Sequence, residues 1–163
     1  VFSAGSDRIG AIARTGVPYV GSVGAVDMVN FGALDTVPAR FAERNLHVHN
    51  SQVTLMRTTP EENVAVGEFI AHKLNACHGP VRFLLPEGGV SMIDAPGQPF
   101  HDPEADEALF ATIEANVVRT ENRTVGRVAA NINDETFVEA VLAAFDDVML
   151  TVASDSDTAT GAH

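Results

Sequence analysis

The chain has 163 residues, which suits a single domain with its own hydrophobic core. Its formal net charge at pH 7 is −12, and Lys73 is its only lysine. This balance disfavours binding to a nucleic-acid backbone or to an anionic membrane surface. Cys77 is the only cysteine, which excludes an internal disulfide and a cysteine-based zinc site and favours a reducing, cytoplasmic setting. No apolar run is long enough to span a membrane, and no signal peptide is visible.

The N-terminal part of the chain alternates between strand and helix patterns. Residues 1–4 predict the end of a strand, and residues 7–15 predict a short helix that Gly16 ends. Residues 17–23 predict a strand. A loop over residues 24–32 follows, and Thr36 then precedes a predicted short helix over residues 37–44, with Pro38 near its start.

The middle of the chain holds the clearest helix. Residues 46–49 predict a strand, and residues 51–58 are interpreted as a connection. Thr59, Pro60 and Glu62 then form a capping-box sequence with proline at the first helical position, which predicts a helix that ends before Gly79-Pro80.

The C-terminal part repeats the alternation. Residues 81–85 are a short apolar run closed by Pro86, which predicts a buried strand. A long loop with glycine, proline and ionisable residues leads to a helix from Pro103. Residues 124–129 predict a further strand and precede a last helix, and residues 151–163 predict a disordered tail.

Strands that alternate with helices predict an α/β domain over residues 1–150. We expect three layers: a mostly parallel sheet with helices on both faces. The arrangement is Rossmann-like, but no GxGxxG dinucleotide fingerprint and no P-loop motif is present. The chain starts at Val1 and not at Met, and its first residues already resemble the end of a strand, so we also expect it to be a piece of a longer protein.

Polar residues follow several of the predicted strands, and parallel strands deliver successive loops to one edge of a sheet, where ligands bind. We therefore predict one ligand-binding neighbourhood at the carboxyl ends of the strands. Its predicted members are Asp27, Asn30, His49, Asn50, Arg57, Thr58, Glu87, Gly88, Gly89 and Ser91.

Arg57 and Glu87 are the strongest candidates for binding. Arg57 precedes a helix N-terminus, where free amides and a guanidinium favour an anion such as phosphate, although simple capping explains the same residues. Glu87 precedes two glycines and is suited to hold a ribose or to act as a base, unless the segment is a plain turn. Since neither residue lies in an apolar stripe, we expect the fold to survive their substitution.

Two further groups of residues are candidates for a catalytic role. His47 and His49 lie on one strand face and are suited to share a divalent metal with a third ligand such as His101, Asp94 or Glu87, or else to bind loop backbone. Ser91, His101 and Asp94 would make a triad, but no G-x-S-x-G elbow accompanies them.

Four segments carry a family resemblance, and they occur in order between residues 17 and 134. They read VGSVGAVDMVNFG, HVHNSQVTLMRTTPEEN, VRFLLPEGGVSMIDAPGQPFHDPEAD and NIND. These strings resemble the family of the tomato mosaic virus resistance protein and its uncharacterised bacterial relatives. Ser6 and Ser51 depart from the family pattern, where prolines are expected.

The resemblance implies a protein with two α/β halves, of which this chain is the second. It also implies ATP as a ligand and a homodimer, so the isolated chain should self-associate. Three interpretations stay open: a nucleotide-binding domain with its site at the strand ends, a metal-dependent hydrolase built on His47 and His49, and an interaction domain with no ligand of its own.

Overall fold

The computed structural model describes residues 5–160, with side chains described as far as Val152. The strand end predicted for residues 1–4 lies outside the described residues. A parallel sheet forms the centre of the molecule. Its strands are β1 (Tyr19–Ser22), β5 (Val81–Pro86) and β6 (Arg123–Val128), in the order β1-β5-β6.

Helices cover both faces of this sheet, as predicted. On one face, α2 (Pro60–Asn75) and α3 (Pro103–Asn116) pack against the buried residues of β5, and α1 (Gly10–Thr15) contacts α2. On the other face lies α4 (Glu135–Thr160), which contacts β1 and β5.

The alternation of β5 explains this layering, because successive side chains of a strand point to opposite faces. Val81, Phe83 and Leu85 are at most 1% exposed and belong to the core with α2 and α3. Arg82, between them, forms an ion pair with Asp147 of α4. The three-layer α/β fold predicted from the sequence is therefore confirmed.

The start of α2 also follows the prediction. The Thr59 side chain accepts a hydrogen bond from the Glu62 backbone N–H, and the Glu62 carboxylate accepts one from the Thr59 backbone N–H. Arg44 donates to both carboxylate oxygens of Glu62, at 3.1 and 2.6 Å. The helix entry is thus fixed both by its own residues and by the preceding segment.

A second, antiparallel sheet corrects the sequence interpretation. It comprises β2 (Met28–Phe31), β3 (Leu46–Asn50) and β4 (Val53–Arg57), in the order β2-β4-β3. The strand predicted at residues 46–49 exists, but it does not belong to the parallel sheet. The segments predicted as a loop and as a connection are its two partner strands.

Two other segments differ from their predictions. Residues 37–44 form no α-helix; the region has two short 3-10 turns, Leu34–Thr36 and Ala39–Phe41. The last helix, α4, extends to Thr160 and so continues into the segment predicted as a disordered tail. None of the helices in the described part of the chain is both long and apolar enough to cross a membrane.

Candidate functional site

The loops that follow β1 and β5 meet at the carboxyl edge of the parallel sheet. The Ala25 backbone N–H donates to the Val90 carbonyl at 2.9 Å. The Ser91 hydroxyl donates to Asp27 Oδ2 at 2.7 Å. Two of the predicted site residues, Asp27 and Ser91, are therefore in direct contact, as expected for loops at one sheet edge.

Asp27 is fully buried at this junction. Its Oδ1 atom has no hydrogen-bond partner among the residues that the structure describes. Burial raises the pKa of this carboxyl group, and the hydrogen bond from Ser91 opposes the shift. Asp27 is thus an acid whose protonated form is favoured by its surroundings.

Arg57 lies behind these loops and is only 4% exposed. Its Nε donates to the Phe100 carbonyl at 2.8 Å, and its Nη1 donates to the Thr58 hydroxyl at 3.1 Å. Its Nη2 donates to Asp106 Oδ1 at 2.7 Å and to Asp94 Oδ1 at 3.2 Å. Each guanidinium nitrogen therefore has a protein partner, which does not favour the predicted role of Arg57 as a free cation for an anionic ligand.

Arg57, Asp94 and Asp106 form what we call the Arg57 cluster. Asp94 is fully buried and also accepts a hydrogen bond from the Val90 backbone N–H at 2.8 Å. Burial, together with the nearby charge of Asp94, raises the pKa of Asp106 to about 7, although the hydrogen bond from Arg57 opposes this. One arginine serves two carboxylates, and its charge only partly offsets the effect of burying Asp106 beside Asp94.

A smaller cleft of about 200 Å³ lies beside the Arg57 cluster, where β5 and β6 end. The predicted residues Glu87, Gly88 and Gly89 line it, and Asp106 reaches it from the first turn of α3. Glu87 is exposed, and its carboxylate is 3.7 Å from Arg127 Nη1.

Close packing between two loops accounts for both glycines of the cleft. A Cβ atom on Gly88 would lie 2.4 Å from the Asn131 backbone nitrogen, which leaves no room for a side chain. Gly89 has φ 118°, a conformation that favours glycine. The glycine pair is therefore required by the fold, whether or not a ligand approaches it.

The smaller cleft is rich in carboxylates. Arg127 is held by Glu107 at 2.6 and 2.9 Å and by Glu114 at 2.8 Å. His101, which also lines the cleft, has its Nδ1 3.0 Å from the Asp94 carbonyl oxygen. With its cation already paired, the cleft offers little attraction to a phosphate.

A larger cavity of about 800 Å³ lies between α1, α2 and β1, and it reaches the loop that follows β1. Its walls are mostly apolar and include the rings of Tyr19, Phe69 and Phe83. Thr58 contributes a hydroxyl group. Arg8, an exposed residue, supplies the only charged side chain among the described residues that line the cavity.

Sequence reasoning selected Thr58 but missed the rest of this cavity. Its apolar lining residues occur at the spacing of helix and strand packing, so the sequence carries no signal that separates a cavity wall from a core. Arg8 lies in a polar segment before α1, where a solvated arginine is the ordinary expectation.

The remaining predicted residues lie on the antiparallel sheet. Asn30 is exposed on β2, and the His47 ring on β3 contacts the Phe100 ring edge-on, with centroids 6.1 Å apart. His49 is exposed. Asn50 is the last residue of β3, and its Oδ1 accepts from the Gln52 backbone N–H in the hairpin turn at 2.9 Å.

Among the side chains that the structure describes, no three histidine, cysteine, aspartate or glutamate residues come together in an arrangement that could hold a metal ion. The predicted metal pair therefore finds no third ligand among them. The imagined triad is not formed either, because the Ser91 hydroxyl donates to Asp27 and not to His101.

The fold and its edge cavities define a three-layer α/β domain with space for a small ligand at the ends of its parallel strands. Residues 1–149 match the model of the uncharacterised protein family UPF0261, C-terminal domain. The chain therefore belongs to the UPF0261 family and contains its C-terminal domain, in agreement with the expected second half.

Relatives in bacteria and in a plant bear this out. A UPF0261 protein of Rhizobium meliloti (strain 1021) is 56% identical to this chain over 91% of the chain's length. The aligned region covers 37% of that relative. A Clostridium tetani UPF0261 protein is 45% identical over 86% of the chain and 35% of its own length. The ToMV resistance protein Tm-1(GCR237) of Solanum lycopersicum is 43% identical over 91% of the chain, which spans 20% of that protein.

Proposed function

We propose that this chain is the C-terminal α/β domain of a cytoplasmic nucleotide-binding protein and that a nucleotide such as ATP binds in the larger cavity. The observation that carries the proposal is a cavity of about 800 Å³ that reaches the loop after β1, at the carboxyl edge of the parallel sheet. Ligand cavities of about 300 to 1,000 Å³ with mostly apolar walls are typical of small-molecule sites. Their usual place in α/β proteins is this edge of the sheet.

The lining residues divide into two groups that suit the two ends of a nucleotide. The rings of Tyr19 and Phe69 and the side chain of Ile70 offer apolar surface for a base. Arg8 offers a positive charge for phosphate, and Thr58 offers a hydroxyl group. A cation matters here because the protein carries a net charge of −12 and would otherwise repel an anionic ligand.

Calorimetry on the full-length protein tests the site with ATP, adenosine and tripolyphosphate as ligands. Ala65→Trp should block ATP binding, because Ala65 lies on the exposed side of α2 and lines the cavity. Val64→Trp is its matched control, since Val64 is an exposed residue of the same helix that does not line the cavity.

The phosphate role is tested separately. Arg8→Ala should weaken ATP binding about ten- to a hundredfold, the value of a lost charge-assisted contact, and should leave adenosine binding unchanged. Arg14→Ala, in the neighbouring helix and outside the cavity lining, is the control. ATP binding that survives both Ala65→Trp and Arg8→Ala would place the nucleotide outside this cavity.

We also propose that the protein is a homodimer, with α4 in the contact. This helix exposes five large apolar side chains, and four of them recur at the 4-3-4 spacing of helix–helix seams. They are Val138, Leu142, Phe145, Met149 and Leu150, each about half exposed or more. Sedimentation should show a dimer that Leu142→Glu with Phe145→Glu dissociates; a monomeric wild type would refute the proposal.

A further inference from the structure

A chain of hydrogen bonds joins the larger cavity to the smaller cleft. Thr58 lines the larger cavity, and its hydroxyl accepts from Arg57 Nη1 at 3.1 Å. The same guanidinium donates through Nη2 to Asp106 Oδ1 at 2.7 Å, and Asp106 lines the smaller cleft. A single buried side chain therefore touches one wall residue of each cavity.

The charges around Asp106 leave its ionisation finely balanced. Asp94 faces it from the turn after β5 and disfavours its charge, whereas Arg57 faces it from the end of β4 and favours it. Burial also disfavours its charge, and together these effects raise the pKa of Asp106 to about 7. On the cleft side lie four further titratable groups: Glu87, His101, Glu107 and Arg127.

Negative charge added to the larger cavity would also favour the protonated form of the nearby carboxyl groups. The Asp27 backbone carbonyl accepts a hydrogen bond from the Thr58 N–H at 2.9 Å, and burial raises the pKa of the Asp27 carboxyl group. An anion bound beside Thr58 would add a like charge close to the carboxyl groups of Asp27, Asp94 and Asp106. Like charges favour the protonated form of a carboxyl group.

We infer that an anionic ligand in the larger cavity binds together with a proton at Asp106, with Arg57 as the side chain that connects the two. This inference rests on the proposed nucleotide site and names its regulation. By linkage, the ligand binds more tightly to the protein with a protonated Asp106 and in turn promotes that protonation. The affinity for an anion therefore falls as pH rises through about 7.

The size of the effect follows from the distance. Two hydrogen bonds and one guanidinium group separate the Thr58 hydroxyl from the Asp106 carboxyl. Charges at this separation in a partly buried setting interact strongly enough to change affinity about three- to tenfold. The titration of ATP itself would give the opposite pH dependence. ATP gains negative charge as pH rises through neutrality, so on that ground alone its affinity for a cationic site would rise with pH.

The experiment is calorimetry of ATP binding to the full-length protein at pH 6 and pH 8, in pairs of buffers that differ in ionisation enthalpy. We expect net proton uptake near pH 7 and an affinity about three- to tenfold lower at pH 8 than at pH 6. Adenosine, which is uncharged, should bind with little pH dependence.

Asp106→Asn isolates the group responsible. This substitution keeps an oxygen that accepts from Arg57 but removes the proton exchange, so the affinity for ATP should stay near its low-pH value up to pH 8. Glu107→Gln is the matched control, because Glu107 lines the same cleft but contacts Arg127 and not Arg57.

The outcomes separate this inference from the proposed function. ATP binding to the wild type without proton uptake, or with an affinity that rises with pH, overturns the inference and leaves the site intact. An Asp106→Asn protein that keeps the pH dependence of the wild type also overturns it. Absence of any ATP binding at either pH defeats the proposed function itself.

Discussion

Removal of the Arg57 side chain should destabilise the fold severely, contrary to the expectation from the sequence. The Arg57→Ala protein would lose the cation that neutralises Asp94, which is fully buried, and Asp106, which is 8% exposed. It would also leave the Phe100 carbonyl without the bond from Nε. The fold thus depends on Arg57 as a buried counter-ion.

Removal of one partner of a buried ion pair costs about 3 to 5 kcal/mol, because the other charge stays buried without compensation. The free energy of unfolding of a domain is typically only about 5 to 15 kcal/mol, so this loss is a large share of the total stability. It corresponds to a fall in Tm of about 6 to 20 °C for a domain of this size. The loss of free energy of unfolding should be smaller at pH 5 than at pH 8. At pH 5 Asp106, with its pKa near 7, is protonated and carries no charge that Arg57 must neutralise.

Urea and thermal unfolding, followed by circular dichroism at pH 5 and pH 8, measure this cost. Arg40→Ala is the control, since Arg40 is exposed and lies over the Phe41 ring with its guanidinium carbon 4.7 Å from the centroid. The control should change the free energy of unfolding by less than about 1 kcal/mol. A loss for Arg57→Ala no larger than that of the control would refute the counter-ion role.

Three other expectations concern stability. Asp106 has its pKa raised from 3.8 to about 7 in the folded state, so between these pH values the folded protein binds more protons than the unfolded one. The contribution of this group to the free energy of unfolding therefore falls as pH rises from about 4 to about 7. Asp106→Asn should flatten that slope in urea titrations at several pH values. Gly88→Ala should cost about 1 to 3 kcal/mol, because the new methyl group meets the Asn131 backbone, and an unchanged Tm would show that the two loops can separate. Thr59→Ala should cost about 0.5 to 2 kcal/mol through loss of the capping bond to Glu62, which thermal unfolding would detect, and a cost near zero would mean that water replaces the cap.

The sequence predicted those parts of the fold whose signals are local. The capping box at Thr59 and Glu62 identifies the start of α2, and the apolar run before Pro86 identifies β5. Residues 53–57 were misinterpreted as a connection because a five-residue segment between two turns has no clear period, and its pairing with β2 and β3 is a tertiary fact.

The positions of the candidate site residues were predicted only in part, for a similar reason. Arg57 was interpreted as a free cation because its partners, Asp94 and Asp106, follow 37 and 49 residues later in the chain. No local pattern reveals that these carboxylates converge on it. The rule that parallel strands bring their loops to one edge placed Asp27 and Ser91 in one neighbourhood, and in the structure their side chains are in contact.

The long connection between β1 and β5 also bears on how the molecule assembles. The bond from Ser22 to Leu84 joins positions 62 residues apart, whereas the bond from Arg82 to Asn122 beside β6 spans 40. Loop closure alone separates the two pairings by only about 0.4 kcal/mol, so chain length does not decide which forms first. The longer connection contains the entire antiparallel sheet and α2, and the shorter one contains α3 and the short 3-10 turn Met92–Asp94. We therefore expect β5, α3 and β6 to form the folding nucleus and β1 to dock last. Pulsed hydrogen exchange tests this order, and β1 amides that gained protection before those of β6 would contradict it.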